Sequence, residues 1–562
     1  MRTLLLFAMA IAVCAAQNRD FSRLVVPPAQ MPPGTPTGTG SIEGNVVNEL
    51  TGEPIKKAQV TLGGMGNLTA VTDASGHFAF RQLAAGSFIV QGQASNFSGS
   101  RAWPGSPAQR QIALTADQKK DGVTIALTPN ASVAGHVVDE EGSPMANCNA
   151  SALAYDYNQG IKRLTPRGGA NTDDRGEYRI SNLMPGKYYV SVRCYRNIPL
   201  PHPFIRRGSG IEVPSQTYGF RLYPGSADLT GAARVAVGPG ATVGGVDFQM
   251  NPVAGVTVRG RVTAADPTAL PRNIQLALAP RDPVARQFLQ AGTAVRRPSN
   301  DFVFQHVAPG SYVIEANAFV DETHSYYARL PINVGAEPVE PVEIQLAPVL
   351  PIKGTITLEG EAKIPLEGLR VTMNPLDLQQ MRQQPNAMVQ KDGSFILNNA
   401  TPGRWRLLVG GASGYIKSIS LNEQPASPYA LDIPAGAATI AITFSTAAID
   451  MEGALAASPP QGAQVSGMLW PAEEERRQSG LERSFQLDAQ GRFHQSGAAP
   501  GRYYACAVEA TDPWRLLQNP SLLNAMQSRC QAIELVEGRA ATVQLPLMTN
   551  QELERITEDL DK

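Results

Sequence analysis

One two-part signature recurs five times along the 562-residue chain, and it restricts the fold more than any other feature. An aromatic residue follows a polar or glycine-bearing turn. Eight residues later stands a glycine, with another aromatic two positions beyond it. The pairs are Phe78 with Gly86, Tyr178 with Gly186, Phe302 with Gly310, Phe395 with Gly403, and Phe493 with Gly501. Self-similarity in a fixed register marks an array of like units. The second copy shows its physical content. Asp173-Asp174-Arg175-Gly176 makes a tight turn in which glycine takes positive φ. Glu177 to Ile180 then alternates polar and apolar, as a half-buried strand does. Leu183 is expected to plug the core, Pro185-Gly186 turns the chain, and Tyr188 to Val192 leaves as a second strand of high β propensity.

Upstream of each signature lies a strand with an embedded glycine: Gly44, Gly135, Gly260, Gly354 and Gly453. Downstream comes an alternating strand, as at Val123 to Leu127, Val246 to Phe248, or Val342 to Leu346. Each unit offers enough strands for a small two-sheet sandwich. The expected organisation is a signal at 1–16, a Pro/Gly-rich linker at 17–40, and five sandwiches at 41–130, 131–253, 254–349, 350–448 and 449–548. A tail at 549–562 places Leu553, Ile556 and Leu560 on one face of a short helix. The second sandwich carries a long insertion between Asn197 and Ala233, expected as a surface excursion. The predicted class is therefore all-β: five tandem small Greek-key β-sandwiches and a short C-terminal helix. A chain this long exceeds what one hydrophobic core usually organises, which agrees.

The glycine-bearing first strand, the Asp-x-x-Gly-x-aromatic turn (Asp173 to Tyr178) and the Pro-Gly-x-aromatic return (Pro185 to Tyr188) together resemble the carboxypeptidase regulatory-like domain. The resemblance covers nearly all of the chain after residue 40. It is closest in the first two units and weakest in the third, where Asn300-Asp301 replaces the glycine-bearing turn. It implies a transthyretin-like Greek-key sandwich in the broad class of carbohydrate-binding-like folds. It also implies an accessory role beside enzymes, transporters or adhesion modules at the cell envelope, without chemistry of its own. Fold analogy fixes no ligand.

The first sixteen residues read as an export signal. Arg2 gives the positive start, Leu4 to Val13 the apolar stretch, and Cys14-Ala15-Ala16 a cleavage site leaving Gln17. Lipidation of Cys14 is the rival reading, with Val13 where that signal normally has Gly, Ala or Ser. No later segment reaches the run of about 18 to 20 apolar residues of a membrane helix, so no integral membrane segment is expected. The expected compartment is extracellular, cell-surface or periplasmic. Cys148 and Cys194 fall in the second unit, Cys506 and Cys530 in the fifth. Two intradomain disulfides are the natural reading in an oxidising compartment, and four buried thiols the alternative.

Chemistry-bearing patterns are absent. The six histidines, His77, His136, His202, His306, His324 and His494, include none followed by Glu three residues on, and no His-Glu-x-x-His occurs. His136 with Asp139 reads as a solvated strand residue and its exit turn. Asp173-Asp174 and Glu140-Glu141 fit hairpin turns, where acids bond locally. Neither a nucleophile elbow nor a phosphate loop is present, and no metal or cofactor is expected. The formal net charge of -1, with signs interspersed, argues against nucleic acid as a partner.

What remains is aromatic loop content. Trp103, before Pro104-Gly105, and Tyr223, before Pro224-Gly225, occupy equivalent places; Tyr155 and Tyr157 lie on another excursion. These are the candidate ligand-contacting aromatics, because Trp and Tyr faces stack on sugars or peptides. The alternative for Trp103 and Tyr223 is that they plug the sandwich ends. The expectation is an exported, non-catalytic structural or binding protein whose partner is polysaccharide or another envelope protein. The competing class is an enzyme with a site assembled between units.

Overall fold

A computed structural model describes residues 37–560 apart from 65–66, 99–108, 159, 195–214, 267–269, 283–285, 287–290, 322, 338, 361–363, 377–383, 458–464, 478, 489 and 510–512. The expected signal, Trp103 and the first part of the long insertion lie outside the described residues. The rest is an all-β array of tandem sandwiches. The chain divides into two compact units, Met1–Ala94 with Arg110–Ala126, and Ser95–Gln109 with Leu127–Lys562. In the first, Thr37–Asn48 lies between His77–Leu83 and Lys119–Pro129. The facing sheet runs Leu68–Val71, Gln59–Gly63, Gly86–Gln93, Gln109–Leu114. Ile42, Val46, Val60, Leu62, Phe78, Phe80, Phe88 and Val90 are buried, each from the inward half of an alternating strand.

Among the described residues of the second compact unit, four sandwich cores follow one another. They run from Ala131 to Met250, Val256 to Leu346, Ile352 to Phe444, and Ile449 to Leu545. Between the last two repeats Tyr415, Leu481 and Ala499 form a small buried cluster of their own.

The embedded glycines have a common structural cause. In every repeat the lead-strand glycine pairs directly with the signature aromatic: Gly44 with Phe78, Gly135 with Tyr178, Gly260 with Phe302, Gly354 with Phe395, Gly453 with Phe493. A Cβ at any of the five would come closer than 3.0 Å to a closing-strand carbonyl or to the aromatic ring. At Gly354 the ring stands nearest; at Gly44, Gly135, Gly260 and Gly453 a carbonyl of the closing segment does. Tyr178 differs from its four phenylalanine counterparts in having a hydroxyl, which donates to the Val246 carbonyl at 2.6 Å. There the closing strand is broken between Thr242–Val243 and Phe248–Gln249, and the hydroxyl occupies an acceptor that a continuous ladder would use.

A second shared device was hidden in the sequence. Four residues before each returning glycine the backbone takes positive φ: Gln82 (60°), Asn182 (58°), His306 (57°), Asn399 (63°) and Gly497 (86°). Pairing registers slip at this point in four of the repeats, as a β-bulge requires. The bulge turns the next residue inward, and Leu83, Leu183, Val307, Ala400 and Ala498 are all buried. The return strand then starts at Gly86, Gly186, Gly310, Gly403 and Gly501. Its first inward aromatic closes the turn in three repeats by donating to the carbonyl four residues back. Tyr188 bonds Met184 at 2.6 Å, Tyr312 bonds Ala308 at 2.8 Å, and Trp405 bonds Thr401 at 2.9 Å.

Left-handed backbone disfavours residues with a Cβ by about 1–2 kcal/mol, and β-branched ones most. At the exposed Gln82, replacement by glycine is expected to raise the stability of the first compact unit by about 0.5–1 kcal/mol. Valine there should lower it by about 1–2 kcal/mol. Denaturant melts of the three proteins check this; equal midpoints for the Gly and Val variants would refute it.

Two repeats carry an extra layer. In the fifth, Met468, Trp470, Cys506 and Val508 face outward from the sheet, yet all are buried. Trp514–Leu517, Pro520–Met526 and the C-terminal helix Asn550–Leu560 cover them. Asn519 caps the second of these helices by accepting from the Leu522 N–H, with Pro520 in its first turn. The disulfide Cys506–Cys530 ties the cover to the strand beneath. Of the expected apolar face of the C-terminal helix, Leu553 and Ile556 are buried and Leu560 is exposed. In the second repeat, the disulfide Cys148–Cys194 joins the ends of two paired strands, beside the Asn149–Arg193 pair.

Candidate functional site

Among the described residues no group of three or more His, Cys, Asp or Glu side chains is placed to hold a metal ion. No helix there is long and apolar enough to cross a membrane. His136 is exposed and lies 3.3 Å from Asp247 and 3.7 Å from Glu177. Asp139 instead accepts the Glu141 and Ser143 N–H groups of its own turn. The turn aspartates are similarly occupied. The Ser75 hydroxyl, the Ser394 hydroxyl and the Arg492 N–H lead the hydrogen bonds that hold Asp73, Asp392 and Asp488 below the ordinary carboxylate range. These acids shape hairpins.

The second repeat presents a different surface. Its larger sheet is built from Asn149–Asn158, Ile161–Asn171, Gly186–Arg193, Arg221–Leu222 and Arg234–Val237. Ala150, Ala152, Tyr188, Val190 and Val192 point into the sandwich core. Strand alternation therefore sends Leu153, Tyr155, Tyr157, Lys187, Tyr189, Ser191 and Arg193 outward. Paired residues share a face, so Lys162 opposite Tyr157, Leu164 opposite Tyr155, and Arg234 opposite Tyr189 join them.

The outward face has a floor and a rim. Leu153, Leu164, Phe220 and Leu222 are buried together, with Tyr155, Tyr189, Leu229 and Ala232 packed against them. The described part of the long insertion thus folds back onto the sheet and buries Phe220 and Leu222, which corrects its reading as a surface excursion. Above this floor Tyr155 and Tyr189 meet edge to face, ring centroids 5.9 Å apart and planes at 84°. The Lys162 ammonium sits 3.9 Å from the Tyr155 ring centroid, a cation–π contact. Burial, and next the neighbouring Tyr189, push the Tyr155 phenol above its ordinary range, so it remains a neutral hydrogen-bonding group near neutral pH.

Of the aromatics singled out in the sequence, Tyr155 and Tyr157 lie on this face, both half-buried, and they stand in the paired strand Asn149–Asn158, which corrects their reading as part of an excursion. Tyr223 does not: it packs against the sandwich core and meets the Phe248 ring at 6.1 Å and 73°. Its N–H donates to Val190 O and its carbonyl accepts from Ala233, so it fixes the insertion to the sheet. Tyr189, Lys162 and Arg234 escaped the sequence reading. Tyr189 carried the one available signal, since its parity sets it opposite Tyr188 and Val190 in the same strand.

A second depression, of about 260 Å3, lies on the outer side of a fourth-repeat sheet. Thr355, Thr357, Ser418, Ser420 and Thr443 line it, and its lining includes no aromatic ring. It offers hydroxyls without a stacking surface.

Residues 41–128 match the carboxypeptidase regulatory-like domain family. No curated protein matches the chain. Similar solved structures include the Bacillus anthracis TIE protein, at 12% identity over 56% of this chain and 51% of that one, with a TM-score of 0.17. The chain thus spans about half the length of that protein. The minor pilin of Streptococcus agalactiae is 15% identical over 38% of this chain and 96% of its own, with a TM-score of 0.21. Two B repeat units of the collagen-binding protein of Staphylococcus aureus are 9% identical, over 72% of this chain and 100% of theirs, with a TM-score of 0.14.

Proposed function

With residues 41–128 a carboxypeptidase regulatory-like domain, we propose that this chain is an exported, non-catalytic binding protein of the cell envelope. Its sandwiches act as a spacer, and its second repeat recognises polysaccharide. The observation that carries this reading is the Tyr155–Tyr189 pair, two half-exposed rings held on a buried apolar floor. Rings fixed in this way lose little conformational freedom on binding and present C–H-stacking faces to sugar rings. The folds of the described repeats and their disulfides suit an oxidising compartment outside the cytosol.

The test is binding of the protein from Gln17 to Lys562 to an array of glycans and envelope polysaccharides. Saturable binding is expected, at least about tenfold weaker when Tyr155 and Tyr189 are both changed to Ala. Tyr223→Ala is expected to lower the melting temperature while leaving affinity within about twofold, because that ring packs on the core. An array blank for a folded sample would refute polysaccharide recognition. It would favour a protein partner, for which the third repeat has a surface: Phe319 and Val320 stand 65% and 56% exposed at a hairpin end.

A further inference from the structure

We infer that the outward face of the second repeat's larger sheet takes an anionic polysaccharide, sugar rings against Tyr155 and Tyr189 and acid groups against Lys162 and Lys187. This rests on the polysaccharide reading above and names its ligand class.

Charge distribution is the first support. The whole chain is balanced, with 48 Lys and Arg against 49 Asp and Glu. Residues 149–234 hold 12 of those bases and only 6 of the acids, together with 8 of the 15 tyrosines. One segment therefore concentrates positive charge and aromatic rings in a chain that elsewhere leans acidic. A surface of one sign in a neutral protein steers and holds ligands of the other.

Placement is the second support. The outward positions of the described strands, from Asn149 through Tyr157, Lys162 and Leu164, and Lys187 through Arg193, contain no carboxylate. Four of the segment's described acids are directed elsewhere. Asp156 is on the opposite face and pairs with Arg167 at 3.2 Å. Asp173 is taken up by its turn, and Glu177 sits on the other sheet beside His136. Asp228, on the segment that covers the floor, accepts the Thr230 N–H at 2.9 Å. Lys162 and Lys187 are exposed.

The kind of surface is the third. None of the exposed large hydrophobic side chains among the described residues falls between 149 and 234. A protein partner would need apolar anchors to desolvate, and here Leu153, Leu164 and Leu222 are buried beneath the tyrosines. Half-exposed phenol rings beside lysines match a ligand that alternates C–H faces with carboxylates or phosphates.

The decisive experiment compares polymers that differ in charge alone. The Gln17–Lys562 protein is titrated with polygalacturonate and with its methyl ester, and in parallel with alginate, a glycerol-phosphate polymer and single-stranded DNA. At least one acidic polymer is expected to bind at least tenfold more tightly than the neutral ester. Raising salt from about 50 to 500 mM should weaken that binding by about tenfold or more. Lys162→Ala with Lys187→Ala should lose about tenfold at low salt, and Lys162→Arg with Lys187→Arg should keep affinity within about threefold. Both lysines are solvent-exposed, so a thermal melt separates lost charge from lost folding. Equal affinity for the acid and its ester, abolished by Tyr155→Ala with Tyr189→Ala, would overturn the anionic class and leave the polysaccharide reading standing. Binding unchanged by the tyrosine pair, or absent for every polysaccharide, would overturn both. Tighter binding of DNA than of any polysaccharide would overturn the inference in favour of a nucleic acid.

Discussion

Changing Gly354 to valine is expected to destabilise the fourth repeat by about 3–5 kcal/mol. The added carbons would enter space held by the Phe395 ring, whose nearest atom lies far inside 3.0 Å of where a Cβ would stand. Phe395 is 2% exposed and packed among Ile352, Ile356 and Phe444, so the ring has nowhere to go without disturbing that core. At Gly44 and Gly453 the nearest obstruction is a closing-strand carbonyl, which no side-chain change can move. At Gly354 the three nearest atoms all belong to the ring, and this makes the competition testable. Adding Phe395→Ala should recover part of the loss, so the double variant costs at least about 1 kcal/mol less than the sum of the singles. Hydrogen exchange of peptides from 350–448 in the full-length protein reads this repeat by itself. Additive energies would mean that ring and glycine do not compete for the same space.

Trp405→Ala should cost the same repeat about 3–5 kcal/mol. The indole is fully buried, at 0% exposure, in contact with a core that includes Leu369, Leu407 and Leu431. It also holds the return turn through its N–H bond to Thr401. These two contributions separate by substitution. Phenylalanine keeps most of the buried ring and drops the bond, so Trp405→Phe is expected to cost about 1–2 kcal/mol. The first repeat supports that ranking, since it completes the same turn with Phe88, which has no donor. A Trp405→Ala protein whose 350–448 peptides exchange as slowly as the parent's would refute the assignment.

How much of this could be read in advance differs by feature, for physical reasons. The glycine–aromatic pairing was legible because two rare requirements coincide: a strand position that tolerates no Cβ, and a ring that must lie across it. Both leave residue identities behind, and they recur five times. The positive-φ bulge was not legible. Asn182, Asn399, Gly497 and, less strongly, His306 are residue types that favour it, whereas Gln82 adopts the same backbone because the surrounding strands impose it. The helical cover of the fifth repeat sat in plain sequence, with Asn519-Pro520 as a start signal and Leu516, Leu517, Leu522 and Leu523 as its buried side. It was missed because helices of four and seven residues give too few turns for a periodic pattern. The tyrosine-bearing face was half legible. Tyr155 and Tyr157 were visible as excursion aromatics, but Tyr189 acquires its place only when parity and pairing set it beside Tyr155. Tyr223 looked equivalent to them and instead packs on the core.

In the third, fourth and fifth repeats the lead strand and the closing strand are parallel neighbours. In the fourth, Lys353 to Glu359 runs alongside Thr439 to Ser445 in unbroken register. The chain therefore comes into this repeat at one end of the pair and departs at the other. A pull on the two ends slides the strands along each other and strains their whole ladder at once. An antiparallel pair joined at one end would instead open rung by rung. Wherever tension reaches the fourth repeat, it meets a shear clamp built from its first and last strands.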